Sequence, residues 1–337
     1  MLLYLTSLAA GCVLGRIAAA WAALMVADSA PTELVRCSAC GEATSAVQVW
    51  ASLASVRCRN CGRTSKLYWP LLTSLSLGLL FAAYCWLLLD AGGGGCQRLD
   101  EVQPSAPLSF YRLPFHFALL FLMTVAVVTD FLDYVIPDAV IVTGILVAIT
   151  GAFATGELQI IHIWVNWDDV IPGIQGPYLP EWMKNHQHLH GLAWSSAGLV
   201  VGATLTWLIR FSSHLVLGYP ALGFGDVTLM AMIGAFIGWQ PVLCVLGFAP
   251  LAGLIVGLVT RIVSGRSFVA YGPYLAASAV IVLCTWRWLW ADFFTLRDIF
   301  SHWPSVAGLV AGAWVTLLVL LLLLRGFRSL PANRLRH

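Results

Sequence analysis

Four aspartates interrupt runs that otherwise have the composition of lipid-facing helices. Asp130, Asp133 and Asp138 lie in "VAVVTDFLDYVIPDAVIVTG", and Asp226 follows two glycines in "GFGDVTLMAMIG". Burying an ionisable group in a span is costly, so such a residue is a functional candidate by default. Asp130 stands inside its apolar segment with no Lys or Arg close by in sequence. Gly223 and Gly225 permit a tight turn that sets Asp226 near a helix N-terminus, where unpaired N–H groups and the helix dipole favour a carboxylate. Capping alone would account for Asp226, and Asp138, after the break at Ile136 and Pro137, is a plausible cap of the next helix. Two carboxylates a few ångströms apart cannot both ionise readily, so one stays an anion while the other keeps a proton. Such a pair can activate water toward an amide carbonyl and then protonate the leaving amine. A proton- or cation-coupled transporter would also use intramembrane aspartates, and the residues alone leave both readings open.

Cysteines form a second constellation. Cys37, Cys40, Cys58 and Cys61 give C-x2-C-x17-C-x2-C, a spacing that reads as a tetrathiolate zinc site. Gly41 and Gly62 each follow a pair and suit the turn that aims two thiolates at one ion. Four thiolates close the coordination shell, so the zinc is structural. Two disulfides are the alternative, but the charge pattern below puts this loop on the reducing side. Cys12, Cys85, Cys96, Cys244 and Cys284 are scattered through apolar segments and read as small buried hydrophobes. His186, His188 and His190 in "HQHLH" would share one face of an extended segment and could meet a metal, although solvated loop histidines look the same.

The elements that must carry these groups are helices. The chain has 337 residues, 60% hydrophobic and 10% charged, far from a soluble domain's balance. It reads as an all-α polytopic membrane protein with about nine transmembrane helices, near 2–27, 70–90, 114–135, 138–155, 192–212, 227–244, 245–262, 273–291 and 305–325. With the N-terminus outside and the C-terminus cytoplasmic, twelve Lys and Arg face inward against five outward, with Arg16 inside the first span, as the positive-inside rule requires. Residues 1–27 are then the first transmembrane helix and 28–69 a small cytoplasmic zinc-binding loop domain. Residues 70–291 are the membrane core, with outer loops 91–113 and 156–191, and 292–337 add a helix and a basic tail. The 91–113 connector has too much Gly and Pro for a packed core, and the Trp- and Pro-rich 156–191 segment is expected to rest at the membrane interface. This topology brings Asp130 and Asp226 to the same, inner boundary. Membrane lipid is the expected surrounding, and no nucleic-acid partner or nucleotide-binding glycine loop is found.

Taken together, these motifs resemble the type IV prepilin peptidase (leader peptidase) family, intramembrane aspartyl proteases of the GxGD kind. Asp130 stands seven residues before Pro137 in "DFLDYVIPD", "GFGD" supplies Asp226, and "YGPYLA" with Gly272 and Pro273 is similar to the family's "FGP" loop. The four cysteines resemble the zinc domain of longer members. The resemblance implies that Asp130 and Asp226 are catalytic; Asp133, one helical turn from Asp130, is the rival for that role and otherwise a neighbour that tunes the Asp130 pKa or contacts the leader's basic residues. It further implies that the substrates are type IV prepilins or pseudopilins, cut at the cytoplasmic face of the bacterial inner membrane after a short basic leader. Many members also methylate the new N-terminus with S-adenosylmethionine. Here "GCVLGRIA" and "VQVWASLASV" depart from the family's corresponding stretches, which bears on methylation and not on the aspartates.

Overall fold

In the computed structural model, helices account for nearly all the apolar sequence. The structure describes residues 1–337 other than 28–35, 38, 53–54, 90–94, 100, 103–105, 166–179, 265–269, 293–295 and 330–337, and describes only the backbone of 106–110, 255–264 and 328–329. In chain order the elements are α1 (Leu2–Val26), α2 (Ala46–Ala51), β1 (Ser55–Arg57), β2 (Thr64–Lys66), α3 (Trp69–Leu89), α4 (Ala106–Asp133) and α5 (Asp138–Thr155). There follow α6 (Glu181–Asn185), α7 (Gln187–Leu217), α8 (Phe224–Ile237), α9 (Trp239–Ser264), α10 (Gly272–Arg287), a π-helical turn (Trp288–Asp292), α11 (Leu296–Ser301) and α12 (Trp303–Ser329). Among the described residues seven helices are long and apolar enough to cross a membrane, and Phe224–Ile237 and Trp239–Leu254 are shorter apolar helices. The protein is a multi-pass membrane protein.

Small residues decide which helices touch. In α1 and α3, Gly11 and Gly15 lie against Gly78 and Ser74: a β-carbon at Gly11 would come 2.7 Å from the Gly78 Cα, and one at Gly15 would come 2.6 Å from the Ser74 Cα. Between α7 and α8, Gly198 packs directly on the backbone of Gly234 and Gly202 on that of Met230, and Ser195 Oγ donates to the Ala235 carbonyl at 2.8 Å. Close backbone approach through small residues and interhelical hydroxyl bonds is how helices associate where lipid removes the hydrophobic drive. Gly198→Val is therefore expected to push α7 from α8 and cost about 1–3 kcal/mol or more, read as a lower thermal midpoint in detergent.

Several expectations change. The junction expected at 244–245 falls at Gly238, whose φ of 83° ends α8 and whose Cα sits against the Trp194 indole. The 14 residues of α8 rise only about 21 Å, less than the roughly 30 Å of hydrocarbon. Part of the 91–113 connector packs after all, with Cys96, Gln97, Leu99 and Val102 buried. Arg112 belongs to α4 rather than to a loop and is buried, donating to the Gln159 carbonyl at 2.5 Å. The described start of 156–191 is buried at Leu158, Ile160, Ile161 and Val165 instead of lying at an interface; 166–179, with Trp167, Pro172, Pro177 and Tyr178, fall outside the described residues. His186, His188 and His190 are not an extended trio, because α7 begins at Gln187. His188 Nδ1 meets the Phe153 carbonyl at 2.7 Å, and His190 Nε2 accepts from the Ile163 N–H at 3.2 Å. The other five cysteines are buried or half-buried, as expected.

Candidate active site

Asp130 lies in the last turn of α4 and is 7% exposed. The helix stops because Tyr134 takes φ 55°, a left-handed conformation uncommon outside glycine, while its N–H closes on the Asp130 carbonyl at 3.0 Å. Asp130 Oδ2 accepts the backbone N–H of Gly272 at 3.2 Å. Gly272 is the first residue of α10, with proline following it, an arrangement suited to a helix start. The "YGPYLA" segment is thus a helix N-terminus rather than a loop. A carboxylate at the C-terminal end of α4 would oppose that helix's dipole, and the N-terminus of α10 offsets this.

Asp226 has a parallel setting. It is the third residue of α8, also 7% exposed, and its Oδ2 reaches back to the N–H of Gly223 at 2.9 Å. Each candidate carboxylate therefore sits on a different helix N-terminus. Ile136, carried in by the Tyr134–Pro137 turn, packs between them. A β-carbon on Gly225 would lie 3.1 Å from the Ile136 Cβ, and one on Gly272 would lie 3.3 Å from its Cδ1. Asp226 feels the charges of Asp130 and of Arg210; Arg210 also donates to the Leu222 carbonyl. Two separate elements thus bring together the two acids singled out by their context. Asp133 ends α4 and is half-buried. Asp138 is exposed and is the first residue of α5, without a side-chain capping bond. Carboxylates held close to one another can serve as general acid and general base.

The four thiols also converge. All four Sγ atoms lie within 4.8 Å of one another, with Cys37 to Cys61 and Cys40 to Cys58 each at 3.5 Å. A Zn–S bond of about 2.3 Å puts tetrahedral sulfurs about 3.8 Å apart, so the cluster could hold a metal ion. Two hairpins of the same build present the thiols, both from the sequence Arg-Cys-x-x-Cys-Gly. Cys37 N–H bonds to Glu42 O at 2.8 Å and Gly41 N–H to Cys37 O at 2.9 Å; Cys58 bonds to Arg63 O at 2.8 Å and Gly62 to Cys58 O at 3.1 Å. Gly41 and Gly62 share φ 72°. This duplication is visible in the sequence once the flanking Arg36 and Arg57 are included. Backbone N–H groups of Ala39 and Cys40 draw the Cys37 thiol down to about 6, and those of Cys61 and Asn60 lower Cys58. Cys40, although the N–H of Glu42 favours its thiolate, is pushed up to about 12 by the neighbouring sulfur of Cys58. That crowding is what a cation would relieve.

The cysteine segment bears on the carboxylates through packing. Val49, Val56 and Leu67 form a buried cluster with Ala19, Ala23 and Val26 of α1 and with Leu132, two residues beyond Asp130. Arg16, the basic residue inside the first span, donates to the Ser52 carbonyl and tethers the segment to α1.

Residues 117–258, which include both aspartates, match the family model described as the type IV leader peptidase family. Over this segment the chain is similar to that family. The chain is 33% identical over 94 residues to a prepilin leader peptidase/N-methyltransferase of Escherichia coli (strain K12), covering 27% of this chain and 42% of that protein. A protein of the same name from Dickeya chrysanthemi is 29% identical over 150 residues, 43% of this chain and 49% of the relative. One from Pseudomonas aeruginosa is 34% identical over 101 residues, 29% and 33% respectively. The chain thus spans under half the length of these leader peptidases. No solved structure gives a significant match.

The methyltransferase part of those names implies S-adenosylmethionine. The described polar cavities, of about 210 Å³ beside Glu101 and His162 and about 130 Å³ beside Cys37 and Glu42, fall below the roughly 300–1,000 Å³ of small-molecule sites. The larger cavity, about 600 Å³, is lined almost wholly by apolar side chains.

Proposed function

We propose that the protein is an intramembrane aspartyl endopeptidase that removes the short basic leader of type IV prepilins or pseudopilins, with Asp130 and Asp226 as its acid–base pair. The observation that carries this reading is the placing of both carboxylates on the N-termini of α10 and α8, around Ile136, inside the family segment. One carboxylate, as the anion, takes a proton from water, which attacks the scissile carbonyl. The other, protonated, steadies the developing oxyanion and then delivers its proton to the departing amine. The lysine and arginine distribution supports a cytoplasmic-face site in the bacterial inner membrane, N-terminus outside, C-terminus inside. The segment 28–69 acts as a structural zinc domain, and 70–291 as the peptidase core.

Incubating the purified protein in detergent with a prepilin and S-adenosylmethionine, then weighing the products, tests the activity. A leader-sized mass loss is expected; an uncut prepilin, together with proton or cation flux in liposomes, would favour the transporter reading instead. For the metal, Cys37→Ser and Cys40→Ser are expected to lower zinc content and the yield of folded protein more than turnover per folded molecule. Purified protein without zinc would overturn the tetrathiolate assignment.

A further inference from the structure

The cavity of about 600 Å³ is an open trough between α3, α4 and α10. Its walls follow helical spacing: Leu120, Thr124, Val127 and Phe131 on α4 recur every three or four residues. From Leu120 to Phe131 the trough runs about 17 Å, the rise of about eleven helical residues. Its floor is made of small side chains, Thr73, Ser76, Thr124, Ala276 and Ala277, while Leu72 and Phe131 stand exposed at its rim. The floor hydroxyls are satisfied by their own helices, Thr73 on Trp69 O at 2.9 Å, Ser76 on Thr73 O at 3.1 Å and Thr124 on Leu120 O at 2.7 Å. The trough therefore asks its occupant for shape and apolar contact, which a membrane helix supplies when it meets small residues.

Continuity with the carboxylates identifies the occupant. Phe131 and Pro273 both line the trough, and they directly follow Asp130 and Gly272, the pair joined by the Asp130 hydrogen bond. The α4 wall thus passes the residue next to Asp130, and the α10 wall ends one residue from the Gly272 N–H that holds it. We infer that this trough seats the apolar transmembrane helix of the protein substrate, so that the bond at the end of that helix meets Asp130 and Asp226. The inference rests on the peptidase reading and adds where the substrate's helix lies. A lipid acyl chain would gain nothing from ending at the carboxylates.

Ala277 is exposed on the trough floor, so Ala277→Phe fills it with little burden on the core. Cleavage is compared for a full prepilin and for a short peptide that spans the cut site but lacks the apolar helix. The ratio of their kcat/KM values is expected to fall about tenfold or more in Ala277→Phe. Independently, Ala277→Cys in an Asp226→Asn background should form a disulfide, under an added thiol oxidant, with a cysteine placed in the helix of an uncut prepilin. An unchanged ratio with no cross-link, while the parent protein still cuts, overturns the trough assignment and leaves the peptidase reading standing; the same result is expected if only lipid fills the trough. An equal loss on both substrates also overturns it, because the variant would then have disturbed the carboxylates. Failure of the parent protein to cut either substrate would remove the peptidase reading, whereas the cross-link reports docking without any turnover.

Discussion

Asp130→Asn and Asp226→Asn are each expected to reduce leader cleavage by roughly 10³-fold or more, near the upper range for loss of a positioned acid or base. Asparagine keeps an oxygen that can accept the N–H of Gly272 or Gly223, so the contacts at 3.2 and 2.9 Å survive and the fold should persist. What disappears is the single mobile proton, because an amide neither takes one from water nor gives one to an amine. Asp226→Ala is different: it also removes the bond to Gly223 and should cost on the order of 1 kcal/mol of helix stability. Equal expression of the Asn variants, with product quantified by mass, separates the two effects. Asp133→Asn is expected to be milder, since Asp133 is half-buried at the end of α4 and is read as a neighbour of the pair, not a member of it. Cleavage retained in either the Asp130 or the Asp226 variant would take that residue out of the pair.

Gly272→Ala tests whether the geometry matters as much as the acids themselves. The added β-carbon would come 2.6 Å from Asp130 Oδ2, closer than such contacts allow, and the carboxylate is the group free to move. Stability should change little, because a side-chain end yields more readily than a backbone. Turnover should fall about 100-fold, since a displacement near 1 Å can cost that much when reacting groups are pre-aligned. Gly225→Ala first meets the side chain of Ile136, at 3.1 Å, and should lose less. Adding Ile136→Ala should restore part of the Gly225→Ala loss, a coupling measurable by a double-mutant cycle. Parent-like turnover in Gly272→Ala would show that the Asp130 position is not set by α10.

Which features were legible in sequence follows from how local their causes are. Apolar runs fix where helices form, because the backbone must satisfy its own hydrogen bonds in lipid. The spacing of Cys37, Cys40, Cys58 and Cys61 fixes a metal-sized cluster because each pair shares one turn. The isolation of Asp130 and Asp226 within apolar sequence marked them as candidates. Tertiary structure alone determined the rest. Packing of Gly238 on Trp194 ended α8 early, Arg112 fell within α4 and was buried, and Cys96, Gln97, Leu99, Val102, Leu158, Ile160, Ile161 and Val165 turned inward. It also turned "YGPYLA" into a helix start whose N–H holds Asp130, and put Ile136 between α8 and α10. These contacts join residues as much as 142 positions apart, and no periodicity or spacing within one segment records which distant backbone will offer its N–H.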